Sequence, residues 1–122
     1  MITRRGLDGV TGQMLPRNML NVEIIDELLG GIKNMCKHAF TLDQIAAMID
    51  LQKGGEKGGL VNDGAANIFC LLVQYQIFFI SVHWRQSGAV ELAWIVNEWD
   101  INDRGYGASN STKVFRNTTL TI

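Results

Sequence analysis

The chain is poor in the residues that usually announce a chemistry. It has 122 residues, with only one proline, two cysteines and two histidines. The cysteines, Cys36 and Cys70, have no CxxC partner, so neither a zinc-ribbon framework nor a redox dithiol is present. Both fall in apolar segments read as helical and are expected to be buried free thiols of a reducing compartment. No charge of either sign dominates. Eleven Lys and Arg against twelve Asp and Glu leave a formal net charge of −1, which argues against gripping nucleic acid through total charge. Arg4, Arg5 and Arg17 form at most a local basic arm. Residues 1–10 have no apolar core of a secretory signal, so the sequons at Asn110 and Asn117 are read as coincidental. The most apolar run, Ile68 to Val82, is shorter than the ~20 residues of a membrane-spanning helix and is interrupted by Gln74 and Gln76. A cytoplasmic protein without a membrane segment is expected.

What is present is apolar. Hydrophobic residues make up 47% and charged residues 19%. That balance is globular rather than disordered. A single domain of this length folds without metal or disulfide. The low charge leaves more apolar surface than one small core requires, so a homo-oligomer is expected.

Residues 1–18, which include Pro16, show no period and read as an N-terminal arm before a single domain over 19–122. From Leu20, the positions Leu20, Ile24, Ile25, Leu28, Ile32, Met35 and Cys36 recur at helical spacing. Gly30-Gly31 marks a kink or a close backbone approach within that helix. Thr41-Leu42-Asp43-Gln44 matches a capping box opening a second helix to about Gln52. This pair has no basic recognition face, so DNA reading by it is not expected. Residues 53–59, KGGEKGG, read as a connector, with a phosphate cradle of its lysines and free amides as the alternative. They are not a P-loop, because no GK[ST] leads into a helix. Asn62 or Asp63 is placed as the cap of a third helix running to about Tyr75, with a strand from near Phe69 as the competitor.

Ile77–Arg85 alternates as a strand, with Phe78, Ile80, Val82 and Trp84 on one side and Phe79, Ser81, His83 and Arg85 on the other. A turn at Gln86-Ser87-Gly88 folds it onto residues 89–97. The expected register pairs Trp84 with Val90, Val82 with Leu92, Ile80 with Trp94 and Phe78 with Val96, and places His83 opposite Glu91. Residues 113–122 read as a final strand. The predicted architecture is therefore α+β: two or three N-terminal helices packed on a C-terminal antiparallel sheet of three to four strands.

Three sets of residues can carry chemistry. Arg104 and Tyr106, in the Gly/Asn/Ser loop after the hairpin, with Arg85 and Arg116 nearby, are the preferred ligand-binding set. Arginine forks onto phosphate or carboxylate, and tyrosine stacks or fills a partner's pocket. Cys70, His83 and Asp100 are the parts of a cysteine hydrolase or transferase. Their order along the chain resembles that of transglutaminase-like and papain-like enzymes, without any local motif. His83 with Glu91 is read as a hairpin pair, since two ligands do not make a metal site. The expected function is non-enzymatic: a small binding or interaction protein, without cofactor or metal, recognising a protein partner or a small anionic ligand. Chains of this size without motifs are common among phage and mobile-element accessory factors, such as inhibitors and immunity proteins. The alternatives are the thiol enzyme and a structural subunit of a larger assembly.

Overall fold

The computed structural model describes residues 9–85, 93–99 and 107–117. Its centre is a mixed five-stranded sheet. Strand β1 is Val10–Met14 and β2, outside this sheet, is Met19–Leu20. A short helix α1 (Asn21–Glu23) continues into a π-helical turn, Ile24–Leu28. Helix α2 (Ile32–Met35) ends in a 3-10 turn, Cys36–His38, and α3 spans Leu42–Asp50. Then follow β3 (Asn67–Val73), β4 (Gln76–Trp84), β5 (Trp94–Trp99), β6 (Gly107–Ala108) and β7 (Lys113–Asn117). The sheet order is β1-β7-β3-β4-β5, and β2 pairs separately with β6. Only β3 and β7 run parallel; the other neighbours are antiparallel.

This overturns the predicted arrangement of helices laid on a purely antiparallel sheet of three or four strands. Two differences account for it. Residues 10–14, inside the expected arm, are an edge strand paired with β7 from Val10↔Asn117 to Met14↔Lys113. The expected third helix before Tyr75 is β3, which hairpins directly onto β4. The turn uses Gln74 (φ 48°) and Tyr75 (φ 68°), both left-handed, as a two-residue turn matching the strand twist requires.

Both faces of the sheet are covered, so β3 is buried on both sides from Asn67 to Leu71. Face A carries Ile68, Cys70, Phe79 and Val114 against Ile24, Ile25, Leu29 and Met35. Face B carries Phe69, Leu71, Val82 and Phe115 against Phe40, Ile45, Met48 and Leu60. Beyond Ile68↔Val114 no further β3–β7 pairs form. Phe40 bridges to Leu71 there, its N–H donating to the Cys70 carbonyl at 2.8 Å.

The expected helix from Leu20 to Cys36 is broken at Gly30 (φ 76°) and Gly31 (φ 92°), where L side chains fit poorly. Ile32, placed in the buried stripe by spacing, is 74% exposed as a result. The capping box at α3 is formed as predicted: Gln44 N–H donates to Thr41 Oγ1 at 3.2 Å, and Thr41 N–H to Gln44 Oε1 at 3.0 Å.

Strands β4 and β5 do pair, but not in the predicted register. Trp84 faces Trp94, Val82 faces Val96, Ile80 faces Glu98 and His83 faces Ile95. The His83–Glu91 pair is therefore replaced by His83–Ile95. The turn at 86–88, and Glu91 itself, lie outside the described residues. No helix among the described residues is long and apolar enough to cross a membrane.

Candidate functional site

Three polar side chains of face A cluster at one end of β4 and on β5. Strand alternation carries Ser81, His83 and Arg85 on the same side of β4 as Phe79. Asn97 stands directly opposite Ser81, and Trp99 opposite Phe79. Direct partners hold their Cβ atoms about 5 Å apart, and His83 follows Ser81 by about 7 Å along the strand. Together with Gly64 and Ala66, these residues line an open cavity of about 320 Å³. Glu98 also borders it, although its Cβ belongs to face B by alternation.

Each wall has a local cause. Ala65 N–H donates to Asp63 Oδ1 at 3.0 Å, an Asx turn, and Gly64 takes φ 92° within it. The strand β3 then starts at Asn67, which brings Ala66 alongside the β4 residues. Trp99 is fixed by its indole N–H, which donates to Asn21 Oδ1 at 2.7 Å. The three polar groups in between have no such employment. No hydrogen bond to the side chains of Ser81, His83 or Asn97 forms among the described residues, although Ser81 is only 6% exposed. Arg85 is exposed, its backbone N–H pairing with the Ala93 carbonyl at 2.9 Å.

Of the residues singled out from sequence, Arg104, Tyr106 and Asp100 lie outside the described residues. Arg85 borders the polar row just described. Arg116 is elsewhere. It lies on β7 level with Cys70, and its Nη1 donates to the Leu28 carbonyl at 3.4 Å while its Nε is buried without an acceptor. Level with Phe79 across the sheet, it is six strand residues from Arg85, about 20 Å along the strand direction. The two arginines do not share a site.

Cys70 and His83 do not meet either. Cys70 pairs with Phe79, so His83 is four residues farther on, about 13 Å. Cys70 is on a strand, not on the helix expected for it, and burial, with a smaller contribution from Cys36, pushes its thiol up to about 12. That leaves on the order of a thousandfold less thiolate than an ordinary cysteine carries near neutral pH. Cys36 is exposed rather than buried. With iodoacetamide on native protein, Cys36 is expected to react and Cys70 to react only after unfolding. Equal rates at the two positions would contradict the burial of β3.

The basic arm loses its third member as well. Arg17 donates to Glu27 at 2.7 Å and to Glu23 at 3.1 Å. Glu23 also accepts the Leu20 N–H at 2.8 Å, and that bond, ahead of Arg17, holds its carboxyl below the usual carboxylate range. No group of three or more metal-ligating side chains occurs among the described residues.

Set against family models, curated proteins and solved structures, the chain finds no match in any of the three.

Proposed function

We propose that the protein is a non-enzymatic binding protein whose β4–β5 recess takes the anionic group of a small ligand or partner, a carboxylate or a phosphate. One observation carries this reading: Ser81, His83 and Asn97 turn hydrogen-bonding groups into a cavity without satisfying one another. A hydroxyl, an imidazole and an amide can all donate to an anion, and Arg85, which follows His83 on the same side of the chain by alternation, adds a planar, permanently charged fork. Buried polar groups normally have partners, and Ser81, the buried member of the three, has none among the described residues; half-buried His83 and exposed Asn97 stand beside it at the rim of a cavity of ligand size. The thiol enzyme draws no comparable support, because its cysteine and histidine are far apart and the cysteine is protonated.

The reading also includes a cytoplasmic, self-associating protein. Support for association comes from the two outer strands, β1 and β5, each with an edge unpaired among the described residues, and from Val96, 51% exposed on β5.

The test uses inorganic phosphate and succinate as probes in a two-dimensional amide NMR titration. Saturable shifts at Ser81, His83, Arg85 and Asn97 are expected. Arg85→Ala is expected to weaken binding about fivefold or more, roughly 1 kcal/mol, without moving the melting temperature. Shifts absent from these four residues, or affinity unchanged in Arg85→Ala, would remove the recess as the anion site.

A further inference from the structure

A second cavity lies on face B, at the opposite side of the sheet from the recess, and its chemistry is different. It occupies about 500 Å³ between the β1–β7 edge, the end of α3 and the glycine-rich connector. We propose that it binds an organic carboxylate with an extended apolar body, such as a medium-chain fatty acid.

The argument begins with Gly12. It sits in the middle of β1, opposite Phe115. A Cβ there would come within 2.5 Å of Lys113 Cε and 2.8 Å of Phe115 Cε1. The absence of a side chain lets the lysine stem and the phenyl ring lie directly on the strand backbone. Lys113 is thereby drawn across the sheet edge, its Nζ 5.3 Å from the Phe115 ring centroid. It donates to the Gly59 carbonyl at 2.6 Å. An ammonium has three donors, and this contact uses one.

The remaining polarity of the cavity is cationic. Lys57, from the connector, borders it and makes no ion pair among the described residues. Gln52 borders it too but is fully engaged. Its amide donates to the Glu56 carbonyl at 2.8 Å and the Leu60 carbonyl at 3.0 Å, and its oxygen accepts the Leu60 N–H at 2.8 Å. No aspartate or glutamate lines the space. The rest of the wall is apolar: Val10 and Phe115 from the sheet, Met48 and the 56% exposed Leu51 from α3. Two unneutralised ammonium groups over an apolar floor complement a molecule with an anionic head and a hydrocarbon body. The volume falls within the ~300–1,000 Å³ of small-molecule sites. Inorganic phosphate alone would leave the apolar walls in contact with water.

Calorimetric titration of the full chain with decanoate, decanol and inorganic phosphate tests this. Decanoate is expected to bind, with decanol and phosphate each at least about tenfold weaker. Lys57→Gln, an exposed change with no structural bond to lose, and Lys113→Met are each expected to weaken decanoate about fivefold. Leu51→Asp is expected to abolish binding by placing a charge in the apolar wall that faces the hydrocarbon body. Arg85→Ala should leave decanoate binding intact, which separates this site from the recess. Decanol binding as tightly as decanoate, phosphate matching it, or unchanged affinity in Lys57→Gln would each overturn the proposal.

Discussion

Replacing Phe69 by alanine is expected to destabilise the protein by about 4 kcal/mol, lowering the melting temperature by roughly 15 °C. Phe69 is fully buried in the middle of β3. Its ring stacks on Phe115 at 4.7 Å between centroids, 7° from parallel, and meets Phe40 edge-on at 5.1 Å and 86°. Phe115 belongs to β7 and Phe40 to the segment before α3, so one ring ties the sheet to the layer covering face B. Truncation removes the transferred apolar surface and leaves a cavity that two aromatic neighbours, each fixed by its own backbone pairing, cannot close. It also forfeits two ring contacts worth about 0.5–1.5 kcal/mol each. Phe69→Leu keeps the apolar fill and loses the ring geometry, so it should cost much less. Denaturant unfolding of both variants checks this. A loss below about 1 kcal/mol for the alanine variant would mean that the Phe69 ring does not tie the layer over face B to the sheet.

The features legible in the sequence were local. The capping box at Thr41 and the two faces of β4 follow from side-chain chemistry or from period two, and both appear; Gly30-Gly31 was legible as an irregularity, read as a kink or close approach within one helix where the structure has a break. The hairpin between β4 and β5 was legible as a partnership but not as a register. The observed pairing differs from the predicted one by four residues, an even number, so every side chain keeps its face. Alternation cannot distinguish such registers. The distinguishing contacts are distant in sequence: Trp94 donates its indole N–H to the Gln52 carbonyl at 2.6 Å, and Trp99 donates to Asn21. The edge-to-face pair of Trp84 and Trp94, 5.3 Å apart, then forms across the strands.

The β3–β4 hairpin was hidden for a different reason. Its turn is Gln74-Tyr75, without the glycine or asparagine that usually marks left-handed turn positions. The run from Ile68 to Val82 therefore reads without punctuation, and a strand buried on both faces has no alternation to betray it. Only the β-branched and aromatic content pointed to a strand. Strand β1 was obscured by Gly12 and by being an edge, where three of its five residues are exposed. The recess was partly visible, since His83 and Arg85 were singled out as polar groups on a strand face. Ser81 was placed on that same face, but Asn97 was not brought to it, because its position opposite Ser81 depends on the register. Of the lysine cavity, only the connector was raised from sequence, its lysines and free amides as a candidate phosphate cradle; the apolar cavity it borders was not anticipated. It joins Gly12, residues 57–59 and Lys113, which only the β1–β7 pairing and the connector bring together.

Changing Asn67 should be almost as damaging as changing Phe69, and it should also damage the recess. Asn67 is completely buried at the start of β3. Its Oδ1 accepts the Val61 N–H at 2.8 Å, and its Nδ2 donates to the Val61 carbonyl at 3.1 Å and the Val82 carbonyl at 3.0 Å. One amide thus clamps the connector before β3 to strand β4. Asn67→Leu keeps the approximate volume but strips partners from three backbone groups. At about 1–3 kcal/mol for each group left buried and unpaired, with partial relief from water entering beside Val61, a loss of about 4 kcal/mol is expected. Asn67→Asp separates the two halves of the clamp. The carboxylate can still accept from Val61 N–H but cannot donate, and it places a charge where none is compensated. It should therefore be no better than leucine at neutral pH, and should recover part of the loss as the pH falls and the carboxyl becomes a donor. Equal stability across the acid range would mean the clamp acts only through its acceptor. Because the clamped connector leads into Gly64 and Ala66, phosphate or succinate affinity at Ser81, His83 and Asn97 should fall in both variants even at temperatures where they remain folded. Undiminished affinity there would show that the β4–β5 row binds without its third wall.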